Sequence, residues 1–163
     1  MVEEAKILMG YVTSVLQPDE QIRYITRIHW IIFIPSIIIL LIAAATFALG
    51  AATRPSGAFN LWAGIAAVLA FGGIIIMLSA WFKRETTEIA VTNRRIIYKR
   101  GFVSRRTIEM QMDKVESVDV DQTVWGRLLG YGNIVIRGVG EGIEPLKNID
   151  SPIEFRNHVT GER

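Results

Sequence analysis

Six basic residues fall within the fifteen positions from Thr92 to Arg106, TNRRIIYKRGFVSRR. Arg94, Arg95, Lys99, Arg100, Arg105 and Arg106, with Lys83 and Arg84 just upstream, carry the charge and N–H donors that neutralise phosphate. Three readings are open for them: diffuse contact with anionic lipid headgroups, a discrete phosphate pocket, or a solvated basic flank. Other chemistry is sparsely provided. The chain has no cysteine, so it has neither disulfides nor thiolate metal sites. His29 and His158 are too few for a histidine metal centre, and each reads as structural or interfacial. Glu116, Asp119 and Asp121 cluster, but strand alternation turns them outward as a solvated face. No nucleophile lies beside a plausible base and orienting partner, so we expect no enzyme, cofactor, metal or small-molecule substrate.

The elements that must position the basic stretch begin with two uncharged runs. Trp30 to Ala52 has 23 residues and Leu61 to Phe82 has 22. At about 1.5 Å per residue each is long enough to cross a hydrocarbon core of roughly 30 Å. The first run starts too late and runs too long for a signal peptide. The connection from Thr53 to Asn60 contains Pro55 and Gly57, which predicts an antiparallel helical hairpin. Arg23 and Arg27 precede it, Lys83, Arg84, Arg94 and Arg95 follow it, and Arg54 alone lies in the loop. The positive-inside rule then places both termini in the cytoplasm of a multi-pass protein of the inner (plasma) membrane. Trp30, Trp62 and Trp81 stand at run ends, where an indole anchors at the interface. Ser36, Thr46 and Ser79 can bond their own helices, and nothing ionisable sits at membrane depth. The runs therefore read as an anchor rather than a transporter.

Net charge is only +2, but it is unevenly spread. From Lys83 to Arg106 there are eight Lys/Arg against two Glu; from Thr107 onward there are six against ten acids. An acidic remainder argues against nucleic acid. After Arg84 the apolar period becomes two. Strands are expected around 88–91, 96–98, 107–112, 115–121, 133–137 and 142–146. Ser151-Pro152-Ile153-Glu154 has the form of a capping box opening a terminal helix, with Ile153 or Phe155 and Val159 turned to the sheet. Trp125 to Gly132, WGRLLGYG, lacks the context of a nucleotide loop. It reads as a helical turn whose Trp and Leu pack the core. Before the first run, Glu3 to Leu16 has helical spacing, and Ile22, Tyr24, Thr26 and Ile28 alternate as an extended segment able to join the sheet.

Several pieces, in order, resemble the membrane-anchored bacterial pleckstrin-homology-like proteins of the second class. They are Leu16-Gln17-Pro18-Asp19-Glu20, Arg27-Ile28-His29-Trp30, Glu88 to Tyr98, Val115 to Val118, and Trp125 to Gly132. The resemblance implies an α+β membrane protein: a transmembrane hairpin plus a bent antiparallel barrel of about seven strands capped by a C-terminal helix. With six strands counted, the seventh is expected to be one missed or one within 122–131. The resulting division is 1–29 for the amphipathic helix and extended segment, 30–82 for the hairpin, and 83–163 for the PH-like domain. The family brings no common ligand, so the expected role is a binding or scaffolding module that tethers or self-assembles at the membrane. Its partners would be anionic headgroups and a protein or second copy. Phe102, Val103, Asp119 and Asp121 are the candidate protein contacts. An accessory subunit of a larger complex, or a membrane enzyme or transporter with an unseen site, are the alternatives.

Overall fold

The computed structural model of the protein describes residues 10–52, 58–101, 106–140 and 142–161. They form two compact units, one from 1–29 with 83–163, the other Trp30–Phe82.

In the first unit, helix α1 (Gly10–Val15) and strand β1 (Ile22–Thr26) precede the apolar runs. After them come β2 (Glu88–Thr92), β3 (Arg95–Arg100), β4 (Arg106–Gln111), β5 (Val115–Asp121), β6 (Tyr131–Gly138) and β7 (Ile143–Asp150). All pairing is antiparallel, in a four-stranded sheet ordered β1-β2-β3-β4 and a three-stranded sheet ordered β5-β6-β7. The seventh strand is therefore β1. It is not in 122–131, which holds a short helix instead. The extended segment before the first apolar run pairs with β2, so 1–29 and 83–163 share one fold, and the hairpin is an insertion between two neighbouring strands.

The sheets do not close into one barrel. A 3-10 turn, Met112–Lys114, bends the chain from β4 to β5 and leaves those two strands unpaired with each other. At the opposite seam the chain leaving β1 stitches onto β7: Ile28 bridges Ile149, His29 N–H donates to Asn148 O at 2.7 Å, and Asp150 N–H donates to Arg27 O at 3.0 Å.

Between the sheets lie Ile89, Ile96, Ile134, Ile136, Leu146 and Ile149, all fully buried. Each contributes about 1.5–3 kcal/mol by leaving water. Helix α5 (Pro152–Thr160), numbered after α2, α3 and α4 introduced below, closes this core with Phe155 and Val159, whereas Ile153 is exposed. The expected capping box is absent. Ser151 sits at φ 46° and makes no side-chain cap bond; its N–H goes to Gly130 O instead. β2 is buried along its whole length because α1 covers its outer face, where Val12, Ala90 and Ile97 form a second small core.

The second unit contains α2 (Ile34–Ala52), led by a 3-10 turn Trp30–Phe33, and the first part of α3 (Phe59–Glu85). Their buried residues recur every seven positions: Ser36, Ala43 and Gly50 on α2, Ala66, Gly73 and Ala80 on α3. A seven-residue seam of small residues lets two helices pack closely along their length. A methyl on Gly50 would lie 2.4 Å from Trp62 Cβ, and one on Gly73 2.9 Å from Leu40 Cδ2. Ser36, Thr46 and Ser79 bond the carbonyls of Phe33, Ile42 and Ile75, three or four residues earlier in the chain, so these three hydroxyls are satisfied locally. Only 11% of the most apolar window of each helix is buried, unlike the core helix of a soluble domain. The remaining surface is apolar and bare, with Leu41, Val68 and Phe71 all more than 60% exposed.

Candidate functional site

The basic stretch divides into parts with different roles. Arg95 starts β3 and is turned inward, not toward solvent. Its Nε and Nη2 donate to the two oxygens of Glu20 at 3.0 and 2.8 Å, its Nη1 to Glu109 Oε2 at 2.7 Å, and its Nη2 to Val15 O at 2.8 Å. The Glu20 side chain is fully buried. It also accepts Gln17 N–H at 2.9 Å and the Thr92 hydroxyl at 2.8 Å. Burial raises the Glu20 pKa, but the bonds from Arg95, Gln17 and Thr92 outweigh it and leave the group below its ordinary value. Arg95 is correspondingly raised, first by its bond to Glu20. Thr92 Oγ1 also accepts the N–H groups of Arg94 and Arg95, while Asn93 exchanges bonds with Gln21. The Gln-Pro-Asp-Glu and Thr-Asn-Arg-Arg motifs therefore meet as one structural clasp.

Lys99 is likewise committed. It pairs with Glu88, which lies opposite it in the β2–β3 register, and stands 5.5 Å over the Tyr11 ring. The other Glu88 oxygen accepts Tyr11 and Val12 N–H, tying α1 to the sheet. Arg95 and Lys99 thus leave the set expected to meet headgroups. Arg94 is exposed at the turn, with Gln17 Oε1 at 3.4 Å. Arg105, Phe102 and Val103 lie outside the described residues.

Arg100 and Lys83 are brought together, and a third cation joins them. A cavity of about 370 Å³ is lined by Lys83, Arg100 and Lys147, with Thr87, Tyr98 and the apolar Ile28, Ile89, Pro145, Leu146 and Ile149. Among the described residues that line it, none is acidic. Arg106 stands opposite Arg100 in the β3–β4 register, and Arg84 is half-buried at the end of α3. The sequence did not single out Lys147. It reaches the site only because β7 is stitched to residues 27–29, a pairing with no local signal.

The remaining candidates are structural or peripheral. Asp119 makes a surface pair with Arg137 at 3.2 Å, and Asp121 is exposed. Trp30 and Trp81 are about half exposed, and Trp62 packs over Gly50. Both histidines stack on tyrosines, His29 on Tyr131 at 5.3 Å and His158 on Tyr24 at 4.5 Å. Tyr24 donates to Glu154 at 3.2 Å, and burial together with that carboxylate pushes its pKa up to about 12. Among the described residues, no three His, Asp or Glu side chains gather as a metal site.

The segment expected to pack the core turns outward. Helix α4 (Val124–Leu129) is capped by Thr123, whose hydroxyl accepts Gly126 N–H at 3.1 Å, and ends at Gly130 with φ 77°. A methyl on Gly126 would lie 2.6 Å from Tyr131 O, so the glycine face meets β6. Val124, Trp125 and Leu128 are left 82%, 67% and 74% exposed.

Seven antiparallel strands in two sheets, closed by a C-terminal helix, form the frame on which these parts sit. The family model for the bacterial PH domain matches residues 31–163. The chain belongs to the bacterial PH domain family. No curated relative and no solved structure matches it. The family match begins after β1, so the strand that completes this PH domain's first sheet lies upstream of the matched region. PH domains are binding modules in general terms. What this one binds must be argued from its own surface.

Proposed function

We propose that the protein is a non-enzymatic binding and scaffolding module, held at the cytoplasmic face of the inner membrane by two spans with both termini inside. The observation that carries this reading is the insertion of two long, bare apolar helices between the neighbouring strands β1 and β2. Here both arms of the tether enter adjacent strands of one sheet, with only Arg27 to His29 between β1 and the first apolar residue. Attachment through two spans is permanent, which removes any need for lipid-driven recruitment. The absence of cysteine makes the test clean. Ser56→Cys in intact cells reacts with an impermeant thiol reagent added from outside, whereas Ser14→Cys and Asn157→Cys react only after lysis. Outside labelling of Ser14→Cys, or release of the chain by alkaline carbonate, overturns the reading.

The bare Val124, Trp125 and Leu128 of α4 favour a second reading, an accessory subunit that docks a larger complex through this turn. Extraction in mild detergent followed by mass measurement separates the two. Co-purifying subunits that are lost in Trp125→Ser support the accessory role, and a particle of one defined copy number supports self-assembly.

A further inference from the structure

We propose that Trp125 of one copy seats in the open seam between the two sheets of a second copy, so that the chains associate head to tail; this rests on the membrane-anchored scaffold reading above. Where the 3-10 turn Met112–Lys114 parts β4 from β5, a cavity of about 360 Å³ opens between the end of β4 and the β6–β7 connection. Ile108, Met110 and Val139 give it apolar walls, and Gly138 and Gly142 present bare backbone on which a flat ring can lie. A dry cavity of about 150 Å³ is enough to hold benzene, so this space takes an indole with part of a neighbouring side chain. The Met110 thioether suits an aromatic ring, and Lys114 supplies a cation for the indole face.

The α4 turn is the matching knob, with Val124, Trp125 and Leu128 bare on its outer face. A copy cannot fill its own seam. Helix α4 joins one end of β5 to one end of β6, whereas the cavity lies at their other ends. The eight residues of β6 separate the two by roughly 25 Å. The charges beside knob and socket are complementary. Asp121 and Arg127 border the knob in sequence, Lys114 and Glu109 line the socket, and all four are exposed, so each anion has a cation to meet. A knob of three side chains buries less than the roughly 1,200 Å² total at which stable interfaces begin, so the contact is weak between free molecules. Two spans hold the copies in one bilayer with the same side facing the cytoplasm, which raises their effective concentration. Every pair leaves one knob and one socket free, so the contact propagates as a ring or a row.

The test uses the full chain carrying Asn157→Cys, an exposed position on α5 and, with no native cysteine, the single labelling point. Donor- and acceptor-labelled copies are reconstituted at low density into liposomes of phosphatidylcholine alone, where no other protein is present. The labelled chain shows energy transfer above that of randomly placed copies, and adding Trp125→Ser or Val139→Asp lowers the excess about ten-fold. Both positions are exposed, and circular dichroism confirms that both variants fold. Mixing donor-labelled Trp125→Ser with acceptor-labelled Val139→Asp restores the excess, because that pair still offers one intact knob and one intact socket. Failure of the mixture to restore it overturns the head-to-tail contact in favour of a patch meeting its own copy. An excess unchanged by either variant overturns the site. Transfer at the random level in a chain that resists alkaline carbonate overturns the second copy and gives Trp125 to a different protein, with the membrane reading intact. Release of the chain from the liposomes by carbonate overturns the membrane reading and the proposal with it.

Discussion

Replacing Arg95 by methionine removes the cation from a carboxylate with no access to water. Glu20 keeps Gln17 N–H and the Thr92 hydroxyl but loses both guanidinium bonds, and Val15 O and Glu109 lose theirs. Breaking a buried pair from one side costs roughly 3–5 kcal/mol. The Arg95 side chain is still 15% exposed, which puts the cost near the lower figure, about 3 kcal/mol. With a urea dependence of about 2 kcal/mol per molar, the midpoint falls by roughly 1.5 M. Pulse proteolysis of the full chain in detergent reads it. Arg95→Lys recovers less than half, because one ammonium cannot serve the Nε and Nη2 positions together. In the Glu20→Gln/Arg95→Met double variant the losses fall short of additive by about 1–3 kcal/mol. The sign with pH is also fixed. A carboxylate held below its ordinary value of 4.5 stabilises the fold above that value, and the contribution disappears as pH falls through the depressed folded value. Wild type therefore loses stability from just below pH 4.5, and Glu20→Gln flattens that slope. An Arg95→Met midpoint within 0.2 M (about 0.4 kcal/mol) of wild type, or an additive cycle, would refute the clasp.

Phe155→Ala removes the fully buried plug of the sheet core and costs about 3–5 kcal/mol by the same proteolysis, whereas Trp125→Ser, at an exposed site, stays within about 0.5 kcal/mol of wild type. Gly50→Ala forces a methyl against Trp62 and lowers the melting temperature of the detergent-solubilised chain, at a cost of about 1–3 kcal/mol; Gly64→Ala, which meets open space, leaves it unchanged. Tyr24 is raised from 10.0 to about 12, so its contribution is intact below pH 10 and is lost as pH climbs to 12. Tyr24→Phe removes that alkaline slope in a urea series across this range.

The hairpin and most of the strands were legible because their signals are local. Uninterrupted apolar runs mark the two helices, and alternation marks the edges of β3, β5 and β6. What stayed hidden depends on distant pairing. Arg95 finds Glu20 75 positions away, across the whole hairpin, so spacing gave no hint that this cation was taken. β1 reads as a fragment because its partner lies beyond the insertion. The Trp125 to Leu129 turn misled for a different reason. A short apolar helix normally buries its large side chains, but here the buried face belongs to Gly126. Ser151 carried the right residue type for a cap, yet its backbone is left-handed and its N–H is drawn to Gly130. Of the cavity's cations, Lys83 and Arg100 stood out by local density, and Lys147 did not.

The 61 residues between Thr26 and Glu88 also set an order of events during synthesis. β1 leaves the ribosome first and must wait, with an open edge, until both apolar helices are made and β2 appears. On the proposed topology β1 and β2 can meet only if the second helix has crossed back to the side where the first began. A chain with one helix left uninserted would strand the two halves of the sheet on opposite faces of the bilayer. Glu20 would then be separated from Arg95, and β2 would lack its neighbour. On that topology, pairing of β1 with β2 would report that both helices had inserted.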